Sequence, residues 1–294
     1  MKPEDHYHYS TSELARYYGL TAKGLAFYED EGIISPRRIP GSKYREFTLV
    51  DCYHLYDSKF YSNCGFSLAE TADLIQPKDL AFVQDGLHLK SLQIQQEILY
   101  KERLKYHVDR IAGLMAHIEE LTQQFQVVNS PSFYRLFVRH YCSPHSSTPE
   151  QSREFARWNH DVPINVASLK YSREELLQGA PFLNVGIGNI ILEEDFQRLN
   201  YSPSSRTEYL PSCLCVYTVI QGSEEELYLP GRLAPCLDFI SKNHYQLAGD
   251  PFTSMITVAN TPEGRIRFDE VWFPVEKAGA AAPCKSPQTS PEAG

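Results

Sequence analysis

Polar caps followed by short apolar runs dominate the first 77 residues. Ser10-Thr11-Ser12-Glu13 fits a capping box, leads into Leu14, Ala15 and Tyr18, and meets Gly19, which predicts a short helix. Thr21 caps a second helix carrying Leu25 and Tyr28 and ending at Gly32. Thr48-Leu49-Val50-Asp51 opens a third, with Cys52, Leu55, Tyr56 and Phe60 on one side and Gly65 at its end. Ser67-Leu68-Ala69-Glu70 opens a fourth, closed by Pro77. Between the second and third helices, Pro36, Pro40 and Gly41 forbid helix, and residues 34–45 read as a β-ribbon with a Pro-Gly turn.

Residues 78–128 follow a different period. Leu104, Ile111, Ile118 and Phe125 recur every seven residues, and Leu114, Leu121 and Val128 follow three behind the last three, with His107 a polar break. This is an a/d seam, expected in a long dimerisation helix; an amphipathic helix packed on its own domain is the alternative. After Pro131 the period shifts towards two. Residues 133–141 read as a strand, 150–179 as helical pieces, and 182–187 with 189–193 as a strand pair around Gly188. The order then repeats: strand at 209–220, helix at 231–244, strands at 252–259 and 265–276 joined at Thr261-Pro262-Glu263-Gly264. The pattern is two β-α-β-β units. Residues 278–294 are small, polar or proline apart from Cys284 and read as a disordered tail.

Composition narrows the function. The 294 residues carry a net charge of −9, so a protein that coats nucleic acid without regard to sequence is excluded. Residues 1–77 hold eight Lys and Arg against eleven Asp and Glu, a net of −3, yet Arg37, Arg38, Lys43 and Arg45 cluster in the ribbon. A site-specific DNA binder with a focused basic wing fits that distribution. Thr21 and Lys23 stand where a second helix enters a major groove, Arg16 flanks it, and Tyr18, Tyr28 and Tyr44 are further candidates. A small helical domain with a solvated basic loop fits the composition equally.

Seven cysteines without a CxxC pair indicate free thiols and a cytoplasmic setting. No apolar run suits a membrane span or a signal peptide. Cys213 and Cys215 share a strand face but read as core, and no metal or cofactor is expected. On the last strand Ile266, Phe268, Glu270 and Trp272 share a face. A carboxylate between aromatic rings suits a lipophilic cation; the alternative is a half-exposed Glu270, solvated or paired with Arg265 or Arg267. Tyr217, Tyr228, Phe252 and Trp158 are additional candidates for ligand contact.

The stretch Tyr9-Ser10-Thr11-Ser12-Glu13-Leu14-Ala15, then residues 19–36, Tyr44-Arg45-Glu46-Phe47 and residues 64–70, resembles the MerR family of transcription regulators. The family's arginine before the aromatic pair is Ala26 here. Residues 209–217 and 267–275 resemble the GyrI-like effector domain of multidrug-sensing MerR members, although the second glutamate of related sensors is missing from Phe252-Thr253-Ser254-Met255.

The resemblance implies an α+β protein: a winged helix-turn-helix domain at 1–77, an antiparallel coiled-coil dimerisation helix at 78–128, a duplicated β-α-β-β effector domain at 129–277, and the tail. Its seam would be Leu104, Ile111, Leu114, Ile118, Leu121 and Phe125. It implies a non-enzymatic homodimeric activator, acting with RNA polymerase, that distorts promoter DNA when a hydrophobic small molecule binds. A GyrI-like hydrolase with Glu270 as general base, and a ligand-independent repressor, are the competing readings.

Overall fold

The computed structural model describes residues 8–279 apart from 40, 43, 77, 123, 144–146, 224, 225 and 263. Lys43 and nearly all of the expected tail therefore lie outside the described residues. The chain forms two compact units, dividing between Leu99 and Tyr100.

In the first unit β1 (Tyr9–Ser10) precedes α1 (Thr11–Tyr18) and α2 (Ala22–Asp30). The ribbon β2 (Arg37–Arg38) and β3 (Arg45–Phe47) follows, then α3 (Leu49–Asn63), α4 (Leu68–Ile75) and α5 (Leu80–Ala116). The three boxed helix starts form as the caps predict: Ser10 with Glu13, Thr48 with Asp51 and Ser67 with Glu70 each exchange both hydrogen bonds. Thr21 caps α2 by accepting from the Gly24 amide at 3.0 Å. Gly19 ends α1 in the left-handed region at φ 64°, which a side chain would disfavour. Strand order β1-β3-β2 makes the ribbon a wing, with Arg37 opposite Glu46 and Arg38 opposite Arg45. Leu14, Leu25, Ile33, Ile34, Phe47 and Leu55 form the core beneath it.

The second unit begins with the last turns of α5. It continues through α6 (Ile118–Leu121), β4 (Gln126–Asn129), β5 (Phe133–His140), α7 (Pro149–His160), β6 (Val166–Lys170), α8 (Arg173–Gln178) and β7 (Gly186–Leu192). Then come α9 (Glu193–Arg198), β8 (Thr207–Leu210), β9 (Leu214–Gly222), α10 (Ala234–Lys242), β10 (Tyr245–Leu247), β11 (Phe252–Thr261) and β12 (Gly264–Lys277). The sheet runs β4-β9-β12-β11-β6-β7-β5-β8, with β10 added to β12. Each half places its third long strand between the first and second, and β6 and β11 meet at the middle.

Several expectations change, and the strand of 209–220 divides into β8 and β9. The helix of 78–128 stops at Ala116, α6 follows after His117, and residues 126–129 join the sheet as β4, with Gln126 opposite Tyr217 and Asn129 opposite Leu214. The second strand of the first half is Val166–Lys170, inside the segment read as helical. Gly188 is no turn. It lies within β7, where an added Cβ would stand 2.0 Å from the Leu136 carbonyl oxygen and 3.3 Å from Arg135 Cζ. Here glycine permits close strand approach and leaves room for the buried Arg135 side chain, which donates to Ser168 Oγ and to the Ser168 and Gly186 carbonyls.

The heptad positions are occupied from within the unit. Leu104 packs with Trp158, Phe196 and Tyr201. Ile111, Leu114, Ile118 and Leu121 pack with Val219, Ile256 and Phe268. Phe125 stacks on Phe239 at 4.9 Å. A seam of this period fits a sheet as well as a second helix. The polar break has its own partner: His107 is buried and bonds Asp195 at 2.7 Å, and Arg103 bonds the same carboxylate. Burial alone would raise the Asp195 pKa, but these two donors outweigh it and hold the carboxyl below its usual range.

Candidate DNA interface and effector cleft

In the first unit Arg16, Thr21, Lys23, Arg37, Arg38 and Tyr44 are exposed. Tyr44, near the tip of the wing, is 78 % exposed. Arg45 is half-buried and forms an ion pair with Glu29 at 3.2 Å, and Arg38 approaches the same carboxylate at 3.6 Å. Glu29 on α2 thus ties the wing to the second helix of the helix-turn-helix. Tyr18 and Tyr28 are turned inward: Tyr18 donates to the Cys52 carbonyl at 2.7 Å, and both pack on the core. Further exposed aromatics, Tyr17 and Phe27, stand on α1 and α2.

In the second unit, alternation along β12 places Phe268, Glu270 and Trp272 on one face, and all three are buried. Glu270 is neither solvated nor paired with a neighbour on its own strand. Arg110 of α5 donates to both its oxygens through Nη2, at 2.6 and 2.5 Å, and Tyr217 donates to Oε1 at 2.9 Å. Burial, then the Glu270 charge, pushes the Tyr217 phenol up. Burial would lower the Arg110 pKa, but the Glu270 charge and the hydrogen bonds to it together hold the guanidinium above its usual range. Arg267 turns to Asp269 on the other face.

Beside this pair lies a cleft of about 570 Å³, open solvent included, between the Tyr106–Ile111 turn of α5 and the sheet residues Phe133, Val166, Ile190 and Ser254. Ser254 stands directly opposite Glu270 in the ladder. Aromatic rings adjoin the pair: Tyr217 lies 4.4 Å from Trp272, and Phe133 lies 6.2 Å from Trp272 and 5.7 Å from Phe252. The Trp272 indole nitrogen is buried without a hydrogen-bond partner. Two candidates sit elsewhere. Trp158 is in the α7 core with Phe196, and Tyr228 stacks on Tyr141 at 4.1 Å. Arg110 was missed, 160 residues from its partner; its only sequence signal is a cation on the helix face that carries Ile111 and Leu114.

The family model for "MerR HTH family regulatory protein" matches residues 9–77. The transcriptional regulator slr0701 of Synechocystis is 30 % identical over 110 residues, covering 36 % of this chain and 80 % of that protein. CueR of Escherichia coli is 27 % identical over 110 residues, covering 37 % and 70 %. The chain belongs to the MerR family. Among solved structures, an EcmrR–DNA complex is similar at a TM-score of 0.36 and 16 % identity, covering 92 % of this chain and all of that one.

This MerR-family chain is a DNA-binding transcription regulator with a helix-turn-helix unit, a long helix and a large antiparallel sheet. No helix among the described residues is long and apolar enough to cross a membrane. Among them, no three His, Cys, Asp or Glu side chains gather as metal ligands.

Arg45→Ala is expected to weaken operator binding about threefold to tenfold and to make its salt dependence shallower by about one phosphate contact. Fluorescence anisotropy across a salt series measures both. An unchanged affinity and slope would show that Arg45 serves Glu29 alone.

Proposed function

We propose that this chain acts as a homodimeric, ligand-responsive regulator whose effector is a hydrophobic, cationic small molecule bound beside Glu270. One observation carries the reading: a buried carboxylate, rimmed by aromatic rings, is neutralised by a guanidinium belonging to the long helix. A lipophilic cation offers the same charge with aromatic contacts in addition. It takes the place of Arg110, and α5 is released from that anchor. Since α5 is one continuous helix from Leu80 to Ala116, its change is passed toward the DNA-binding unit, where free energy of ligand binding is exchanged for distortion of the promoter. RNA polymerase at that promoter is the partner that reads the distortion, and activation is the expected output.

The second copy is held along α5. Apolar side chains at Leu80, Leu87, Ile94 and Ile98 are exposed on one side of the helix, ahead of the heptads. The hydrolase reading finds no support at Glu270, whose two oxygens are already engaged by Arg110.

Footprinting on the gene's own upstream region, with and without tetraphenylphosphonium, tests the proposal. A protected palindrome whose central base pairs become reactive with ligand is expected. Absence of any protected site removes the regulator at that promoter, and a footprint indifferent to the cation removes the sensor.

A further inference from the structure

On the face of β12 opposite Glu270, two arginines of the second unit gather on one buried carboxylate. Asp269 is fully buried and accepts from Arg267 Nη2 at 2.7 Å and from Arg232 Nη2 at 3.0 Å. Two guanidinium groups thus share one carboxylate. The Arg232 side chain is 5 % exposed, yet its Nε and Nη1 have no hydrogen-bond partner. The buried Tyr171 hydroxyl stands next to Arg232. Burial pushes this phenol up to about 12, with Arg232 and Asp269 both contributing to its field. Both Arg232 nitrogens are able to donate, and a buried donor without an acceptor is costly, more so when it carries charge.

Arg232 lines a cleft of about 650 Å³, open solvent included. Thr122, Thr218 and Gln221 supply polar groups, while Phe125 and Pro235 supply apolar wall. No carboxylate is among its described lining residues. Glu226, on the preceding loop, directs its Oε2 to the Ser223 amide at 2.7 Å. The cleft thus presents a guanidinium with unmatched donors and a partly apolar wall.

We propose that this cleft binds a small oxyanion, the carboxylate or phosphate group of a second ligand, with Arg232 as its principal contact. The guanidinium fork suits either group. The site shares no lining residue with the cleft beside Glu270, so it stands whether or not that cleft takes a cation. Its wall includes Thr122 and Phe125, in the connector between α6 and β4. An occupant therefore bears on the segment that leads from the long helix into the sheet.

The test uses the full chain, titrated separately with inorganic phosphate and with benzoate at constant ionic strength, by calorimetry and thermal melting. Saturable binding of at least one probe is expected, weakened about tenfold or more in Arg232→Gln. Phosphate alone identifies a phosphate ligand; benzoate alone identifies a carboxylate with an apolar body. Without probe, Arg232→Gln is expected to melt within about 4 °C of the parent, because Arg267 and Asp269 remain a balanced pair. Should that variant not fold, Arg232→Lys keeps a cation without the fork and is expected to bind more weakly. Failure of both probes up to about 20 mM, or undiminished binding in the variant, overturns the site.

Discussion

Arg110→Met is expected to bind tetraphenylphosphonium about tenfold or more tightly than the parent chain, because a tethered competitor at high effective concentration is gone. In the parent, an incoming cation must first displace a guanidinium bonded to both oxygens of Glu270. In the variant only the Tyr217 hydroxyl remains on that carboxylate. The same change should destabilise the empty protein. Breaking a buried ion pair costs about 3–5 kcal/mol. The Arg110 side chain is 35 % exposed against 3 % for Glu270, so the loss should be nearer about 2 kcal/mol after solvent screening.

Glu270→Gln is the complement. Cation affinity should fall about a hundredfold, as expected for removing the charge partner of a desolvated cation. Operator affinity without ligand should persist. Calorimetry with the cation and urea unfolding of the empty chain measure the two effects. An Arg110→Met variant that binds the cation no better than the parent would sink the competition.

Gly188→Ala should cost more stability than any surface change, above about 4 kcal/mol, and is expected to leave little folded protein at 37 °C. The new methyl group would meet the Leu136 carbonyl at 2.0 Å, and backbone cannot rotate aside as a flexible side chain can. Relief requires parting β5 from β7, which breaks the ladder from Phe133–Leu192 to His140–Gly186 and shifts Arg135 from its carbonyl partners. Urea denaturation gives the number. A loss under about 1 kcal/mol would mean that the two strands lie farther apart than described.

These positions also show what could be read along the chain. Local signals survived folding: each capping box closed, the β2–β3 ribbon formed, and the turn at residues 261–264 joins β11 to β12. Such features are decided by neighbours within a few residues. Gly188 was misread because a glycine between apolar runs looks the same whether it makes a turn or lets another strand pass close. Val166–Lys170 was hidden because its five residues fall between helix-compatible segments, and its pairing with Gly186–Ile190 is a distant one. The heptads were visible, but their period does not say whether a helix or a sheet will cover them. Glu270 stood out as a carboxylate among rings, whereas the one mark of its partner, a cation on an apolar helix face, does not say what it pairs with, since nothing local links positions 160 residues apart.

The join between the two halves of the sheet has a consequence of its own. β9, β12 and β11 are stitched by long ladders, as are β6, β7 and β5, but β6 and β11 share a single registered pair, Lys170 with Phe252. The Leu169 amide reaches a threonine hydroxyl, Thr253 Oγ1, and the Tyr171 amide reaches the Pro251 carbonyl just outside the strand. The sheet therefore has a crease. Amide protons along it should exchange with solvent before those on either side, and each repeat can tilt about that line as a stiff plate without tearing its own ladder.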